Sequence, residues 1–419
     1  MKEKATLLSV LGTGNYGVSV YEMAGKKEED MYIQSALYRM LREEYDLELK
    51  IFLTKKAGET NWEGEGLASR LQKLQPAAKV ETIAISDGKN EEEIWENFQY
   101  FYHAIQERDK VFVDITHSFR SIPIILLSVL ELAKRVKKIE VLDIFYGTFE
   151  KENYAEGKAE QVISLSVYNQ IADWENAISR FLETGYAQNM AGMAKKLAGS
   201  IIKKTDKREE AQLFALMTEM RNLAMRIEEF SEKLFAVRGR EICESVFAIR
   251  KTLQDLEKID GDKEQVSLLQ PFYICLEPLK QLFAPFKEEN TKILNMCEIV
   301  KLCIRFNLLQ QGLTFLEENI TSYLVENYTG ESNEANMRKK REHIAEEFYE
   351  TEDMELLKRS FPLEKEVCEN IRKIRKDIKG LRNDINHAGF RESAAKYKSL
   401  SDGLSNNLYA FVAVLGGEI

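Results

Sequence analysis

Through residue 167, short apolar runs alternate with segments whose apolar residues recur at helical spacing; beyond it the short runs stop. The runs Thr6–Leu11, Leu49–Thr54, Val80–Ile85, Lys110–Ile115 and Ile139–Tyr146 predict strands. Between them, Tyr32–Tyr45, Gly66–Leu74, Glu92–Glu107 and Pro123–Lys137 predict helices, and Pro123 suits a first helical turn, where a missing N–H costs nothing. This alternation predicts a Rossmann-like α/β domain, a parallel sheet with crossover helices. Val111-Phe112-Val113 is apolar on both faces, as a central parallel strand requires. A turn at Gly147 followed by Gln161–Leu165 predicts an added hairpin at one sheet edge.

From residue 168 onward the pattern is helical. Ile171–Glu183, Ala211–Phe235 and Ile293–Leu324 carry amphipathic periodicity, broken at Asp260-Gly261-Asp262, around Pro271–Pro285 and across Thr329–Asn336. A chain of 419 residues exceeds what one hydrophobic core organises. Two domains are expected: an α/β domain over 1–167 and an all-α domain over 168–419.

Composition narrows the function classes. Hydrophobic residues at 44% and charged residues at 31% describe a folded, soluble protein. The apolar run Leu7–Leu11 is too short for a signal-peptide core, and no segment approaches a membrane span, so a cytoplasmic protein with no membrane partner is expected. The five cysteines form no C-x-x-C pair, which argues against a zinc site or a disulfide framework; no metal and no cofactor are expected. The net charge of −10 means that any RNA site must be a local basic patch.

The first strand runs into Gly12-Thr13-Gly14-Asn15-Tyr16-Gly17, which satisfies G-x-G-x-x-G. The dinucleotide reading needs a helix opening inside the motif and an acidic residue closing the second strand. Here Val18–Tyr21 reads as extended, and the second strand ends Leu53-Thr54-Lys55-Lys56, so a nicotinamide-linked enzyme is disfavoured. What survives is a glycine turn whose backbone N–H groups can approach an anion. The fourth strand ends similarly, with Thr116, His117, Ser118 and Arg120 gathered before a helix N-terminus. Hydroxyls, N–H groups and Arg120 can bind phosphate there, and Phe119 or Tyr16 can stack a base. The competing reading is that Thr116 and Ser118 cap the helix while Asp114 bonds a neighbouring loop.

Near the C-terminus, Ile371, Ile374, Ile378, Leu381 and Ile385 fall on one stripe at about 100° per residue. The adjoining flank collects Arg372, Arg375, Lys376, Lys379, Arg382, Asn383, Asn386 and His387, with Asp377 and Asp384 directed away and Gly389 as a stop. So strict a segregation of cations suggests an RNA-facing surface carried by Arg372, Arg375, Lys376 and Lys379. RNA scission by a 2′-OH needs a base, a cation for the phosphorane charge and an acid. His387 can move the protons, Arg382 can hold the charge, and Asn383 can orient ring or phosphate. The bland alternative is a solvated basic helix with an incidental histidine. Arg338 to His343 repeats the R-x4-H spacing without the asparagine and reads as a secondary RNA-contacting segment.

Together, Leu8–Leu11 with Gly12–Tyr16, the run Asp114 to Pro123, Leu308 to Glu318, and Arg382-Asn383-x3-His387 resemble the CARF–HEPN ancillary ribonucleases of type III CRISPR systems. The resemblance spans both domains in order but leaves 201–286 without a counterpart. It implies a CARF domain that binds cyclic oligoadenylate, tetra-adenylate by family precedent, through Gly12, Thr13, Gly14, Asn15, Thr116, His117, Ser118 and Arg120. It also implies a homodimer in which two HEPN domains join both copies of Arg382, Asn383 and His387 into one cleft for single-stranded RNA. The rival is a catalytically idle sensor whose helical domain dimerises or recruits a partner.

Overall fold

The computed structural model describes residues 2–117, 121–149, 158–208, 210–259, 270–331, 336–390 and 392–416. The predicted break at Asp260-Gly261-Asp262 lies outside them. Two compact units emerge, 1–173 and 174–419, divided within the helix Ser166–Thr184.

The first unit is built on an eight-stranded mixed sheet. Its strands are β1 (Glu3–Leu11), β2 (Ser19–Met23), β3 (Lys26–Asp30), β4 (Tyr45–Leu53), β5 (Lys79–Ala84), β6 (Lys110–Asp114), β7 (Glu140–Gly147) and β8 (Glu160–Ser164). Their spatial order is β3-β2-β8-β7-β6-β1-β4-β5. Strands β5, β4, β1, β6 and β7 run parallel, and the order reverses between β1 and β6, as in a Rossmann-like fold. Four helices cross over: α1 (Ile33–Leu41), α2 (Leu67–Gln72), α3 (Glu91–Ala104) and α4 (Ser121–Val136). Strand β1 is buried on both faces because both are covered. Leu7 and Leu11 share one core with Ile33, Leu37 and Leu67, while Leu8 and Val10 share another with Phe101, Leu126 and Val129. Helix α3 starts where Asn90 accepts a hydrogen bond from the Glu93 N–H, with Glu91, Glu92 and Glu93 in the first turn favouring the helix dipole.

The added hairpin differs from expectation in one respect. β8 does pair antiparallel with β7, but it is not an edge strand. The chain leaving the glycine turn forms the β2–β3 hairpin, and β2 docks parallel to β8, which moves the edge out to β3. The cause is legible only in space, since β3 is Lys-Lys-Glu-Glu-Asp and carries no apolar alternation.

The second unit is helical among its described residues. After α5 (Ser166–Thr184) come α6 (Gln188–Ile202), α7 (Ala211–Phe235), α8 (Gly239–Lys258), α9 (Gln270–Phe283), α10 (Lys292–Arg305), α11 (Leu309–Glu326), α12 (Met337–Glu350), α13 (Met354–Ser360), α14 (Lys365–Asn386) and α15 (Tyr397–Val414). One apolar core joins them, including residues from the 201–286 stretch such as Met217, Ile227, Phe230 and Ile249. The predicted stripe of α14 faces this core: Ile371, Ile374 and Ile378 are buried, and Leu381 and Ile385 are half-buried against it. Helices α11, α10 and α15 approach so closely at Gly312 that a Cβ there would stand 2.6 Å from Leu404 Cδ2 and 3.1 Å from Cys303 Cβ. No helix among the described residues is long and apolar enough to cross a membrane.

Truncating Ile378 to Ala would remove buried methyl groups from the face that seats α14. The expected loss is about 2–4 kcal/mol, read from the urea midpoint.

Candidate functional site

In the α/β unit the candidate ligand site lies where the strand order reverses. Crevices at the carboxyl ends of the strands flanking such a point are where ligands enter open α/β sheets. The glycine turn leaves β1 there, and Thr116 and His117 leave β6 beside it. Ser9 and Asp114 are register partners in these two strands, and the Ser9 hydroxyl donates to Asp114 Oδ2 at 2.6 Å. The other carboxylate oxygen accepts from the Thr116 hydroxyl at 2.6 Å and the Thr116 N–H at 3.0 Å. The fully buried Asp114 thus fixes the turn after β6. Thr116 Oγ1 also accepts from the Gly147 N–H at 2.8 Å, so this hydroxyl is engaged by the fold on both sides.

Asn61 organises the glycine turn. Its side-chain amide donates to the carbonyls of Gly12 and Gly14, each at 2.9 Å. Gly12 has no room for a side chain, because a Cβ would stand 2.4 Å from Tyr16 Oη and 2.5 Å from the His117 carbonyl oxygen. Tyr16 folds back over its own loop and lies 4.3 Å from the His117 ring, with Tyr32 edge-on at 5.7 Å. Burial pushes the Tyr16 phenol up to about 12, with Asp114 adding to the effect. Burial also lowers the His117 pKa, against the opposing pull of Asp114, and His117 Nε2 is buried without a hydrogen-bond partner among the described residues. Thr13 is half-buried, while Gly14 and Asn15 face solvent. Ser118, Phe119 and Arg120 lie outside the described residues.

In the helical unit, Arg382 and Asn383 sit half-buried in the last turn of α14, Asn386 ends the helix, and His387 is its exposed C-cap. The stop is a Schellman arrangement, with Gly389 N–H donating to the Asp384 carbonyl at 3.0 Å and Ala388 N–H to that of Ile385 at 2.9 Å. The left-handed residues are Ala388 and Gly389, at φ 52° and 68°. Asp384 is buried and accepts from the Ala395 N–H at 3.1 Å, which ties the following loop to the helix. Arg382 forms an ion pair with Glu317 of α11, and Gln310 of the same helix donates to Asn386 Oδ1 at 3.1 Å.

The basic flank divides. Arg372 donates to the carbonyls of Phe348 and Thr351 at 2.8 and 2.5 Å, and Arg375 stands 3.7 Å over the Tyr349 ring. These two cations hold the end of α12 against α14. Lys376 and Lys379 project into solvent. In the second R-x4-H segment, Arg338 pairs with Glu342 at 2.8 Å and Arg341 with Glu318 at 2.9 Å. Asn61 and Glu317 have no motif of their own in the sequence. Glu317 stands within the Leu308–Glu318 run, which is the one signal that marks it.

No family model matches the chain. It is similar to a CRISPR-associated protein of Methanocaldococcus jannaschii, 31% identical over 159 residues. The match covers 34% of this chain and 25% of that protein, so it spans about a quarter of the relative's length.

Two measurements test the ligand site. Gly12→Ala is expected to lose about 1–3 kcal/mol of stability, and Tyr16→Phe to recover only part of it, because the His117 carbonyl still blocks the new methyl. His117 is held neutral in the fold. Above its ordinary value of about 6.5 it is neutral in both states, and below it the unfolded chain takes up a proton first. Stability therefore falls as pH drops through about 6.5, until the folded imidazole itself titrates. His117→Gln is expected to flatten that dependence of the urea midpoint.

Proposed function

We propose that this chain is a cyclic-oligoadenylate-activated, metal-independent endonuclease of single-stranded RNA that serves type III CRISPR antiviral defence in the cytoplasm. The observation that carries the reading is the last turn of α14, where Arg382, Asn383 and an exposed His387 are gathered at the end of a basic helix. A ribose 2′-OH attacks the adjacent phosphorus while His387 accepts its proton. Arg382 carries the phosphorane charge, Asn383 orients the imidazole or a phosphate oxygen, and the protonated imidazole donates to the departing 5′ oxygen. Lys376 and Lys379 supply phosphate contacts along the strand.

The α/β unit is read as a CARF sensor. The glycine turn faces a phosphate-bearing ring at the switch point, with Gly12–Asn15 offering N–H groups, and by family resemblance Thr116, His117, Ser118 and Arg120 supply further contacts. A twofold-symmetric ring suits a homodimer, since each half meets an identical set of groups, and it brings two HEPN units into one cleft. Cyclic tetra-adenylate is the favoured ring by family resemblance. Activation is a population shift toward the arrangement that binds the ring more tightly. The similarity to a CRISPR-associated protein agrees with this assignment. A second reading, an idle sensor whose helical unit serves only assembly, is favoured by one feature: Glu317 already neutralises Arg382.

The deciding experiment follows a fluorescent single-stranded RNA in EDTA, with cyclic tetra-adenylate, cyclic hexa-adenylate or neither. Cleavage is expected to require one ring, to ignore EDTA, and to fall by at least about 100-fold in His387→Ala and Arg382→Ala. A ring that raises the melting temperature without any cleavage would select the idle sensor.

A further inference from the structure

Resting on the ribonuclease reading, we propose that Glu317, assisted by Gln310, is the positioning residue of the Arg382/His387 site, fixing the guanidinium from the neighbouring helix. Three observations carry it. First, α11 grips both ends of the candidate motif: Glu317 holds Arg382, and about two turns earlier Gln310 holds Asn386, the residue next to His387. α11 is thereby a template for the spacing between cation and imidazole.

Second, the pair is sheltered. The Glu317 and Arg382 side chains are only 19% and 31% exposed, so solvent competes weakly for the contact. Third, the adjacent carboxylate has a different task. Glu318 is 65% exposed and pairs with Arg341 of α12, so the two glutamates divide between two helices and are not one diffuse acidic patch.

The chemistry sets what Glu317 can do. A carboxylate repels the scissile phosphate, so Glu317 is no substrate contact. A guanidinium carries five donors, and one carboxylate contact leaves others for a phosphate oxygen. Holding Arg382 through one nitrogen removes its rotamer freedom before RNA arrives, and misplacement by about 1 Å costs on the order of 100-fold in rate. At the other end, the Schellman stop sets the backbone of His387, and Gln310 of α11 adds its hold on the neighbouring Asn386.

The test compares full-length wild type, Glu317→Gln, Glu317→Asp, Gln310→Ala and Glu318→Gln in RNA cleavage with saturating cyclic tetra-adenylate, each first checked by melting temperature. Glu317→Gln is expected to lower kcat by about 10- to 100-fold with KM within about twofold. Glu317→Asp should restore part of the rate, and Glu318→Gln should stay within about twofold of wild type. Phenylglyoxal modification of Arg382, read by mass spectrometry, gives a result that needs no activity: Glu317→Gln should react several-fold faster than wild type. If Glu317→Gln fails to fold, Glu317→Asp and Gln310→Ala carry the same comparison. Unchanged kcat in the Glu317 variants, or RNA cleavage released without any ring, would overturn the positioning role and leave the ribonuclease reading standing. Wild type inert with every ring would remove that reading and the proposal with it, and unchanged modification rates would overturn the positioning role without touching the ribonuclease reading.

Discussion

The α/β unit depends on a carboxylate out of reach of water. Asp114 ends the strand on one side of the switch point, and Ser9 is its register partner in the strand on the other. An ion in that position is tolerable only if its lone pairs are occupied, and the Ser9 hydroxyl with the hydroxyl and N–H of Thr116 occupy them. The same contacts set where the chain turns after β6, hence where His117 stands and what space Gly12 and Tyr16 have left. A parallel sheet supplies the crevice; this buried acid gives the crevice its shape.

The helical unit reaches an equivalent result by different means. Its candidate residues are anchored by an apolar stripe on one side of α14 and by α11 on another. Two arginines of the basic flank contribute to architecture, since Arg372 closes the carbonyls at the end of α12 and Arg375 covers Tyr349. A cation on a helix flank can thus be spent on carbonyls and rings that the sequence does not place nearby.

Much of this was legible in the sequence because period and order are local properties. The five parallel strands, the crossover helices, the extended segment after the glycine turn and the core-facing stripe of α14 all follow from spacing. What escaped is long-range. Asn61 reaches Gly12 and Gly14 from a π-helical turn, Gly58–Trp62, that carries no motif, and Glu317 reaches Arg382 from another helix. β3 is too charged to announce itself as a strand, so the sequence pattern places the edge one hairpin too early. Gly389 does supply the helix stop, but the left-handed turn also takes in Ala388, which no propensity would select.

That charged strand has a further consequence. Unpaired edges of a sheet are templates on which another copy can add a strand. Here one edge is Lys26-Lys27-Glu28-Glu29-Asp30 and the other carries Lys79 and Glu81, bound to Asp46 and Lys50. A copy seeking to continue the sheet would have to strip water from charges at either end. Association through this unit is therefore steered away from open-ended stacking and toward helix faces and loops, where contacts can close on themselves.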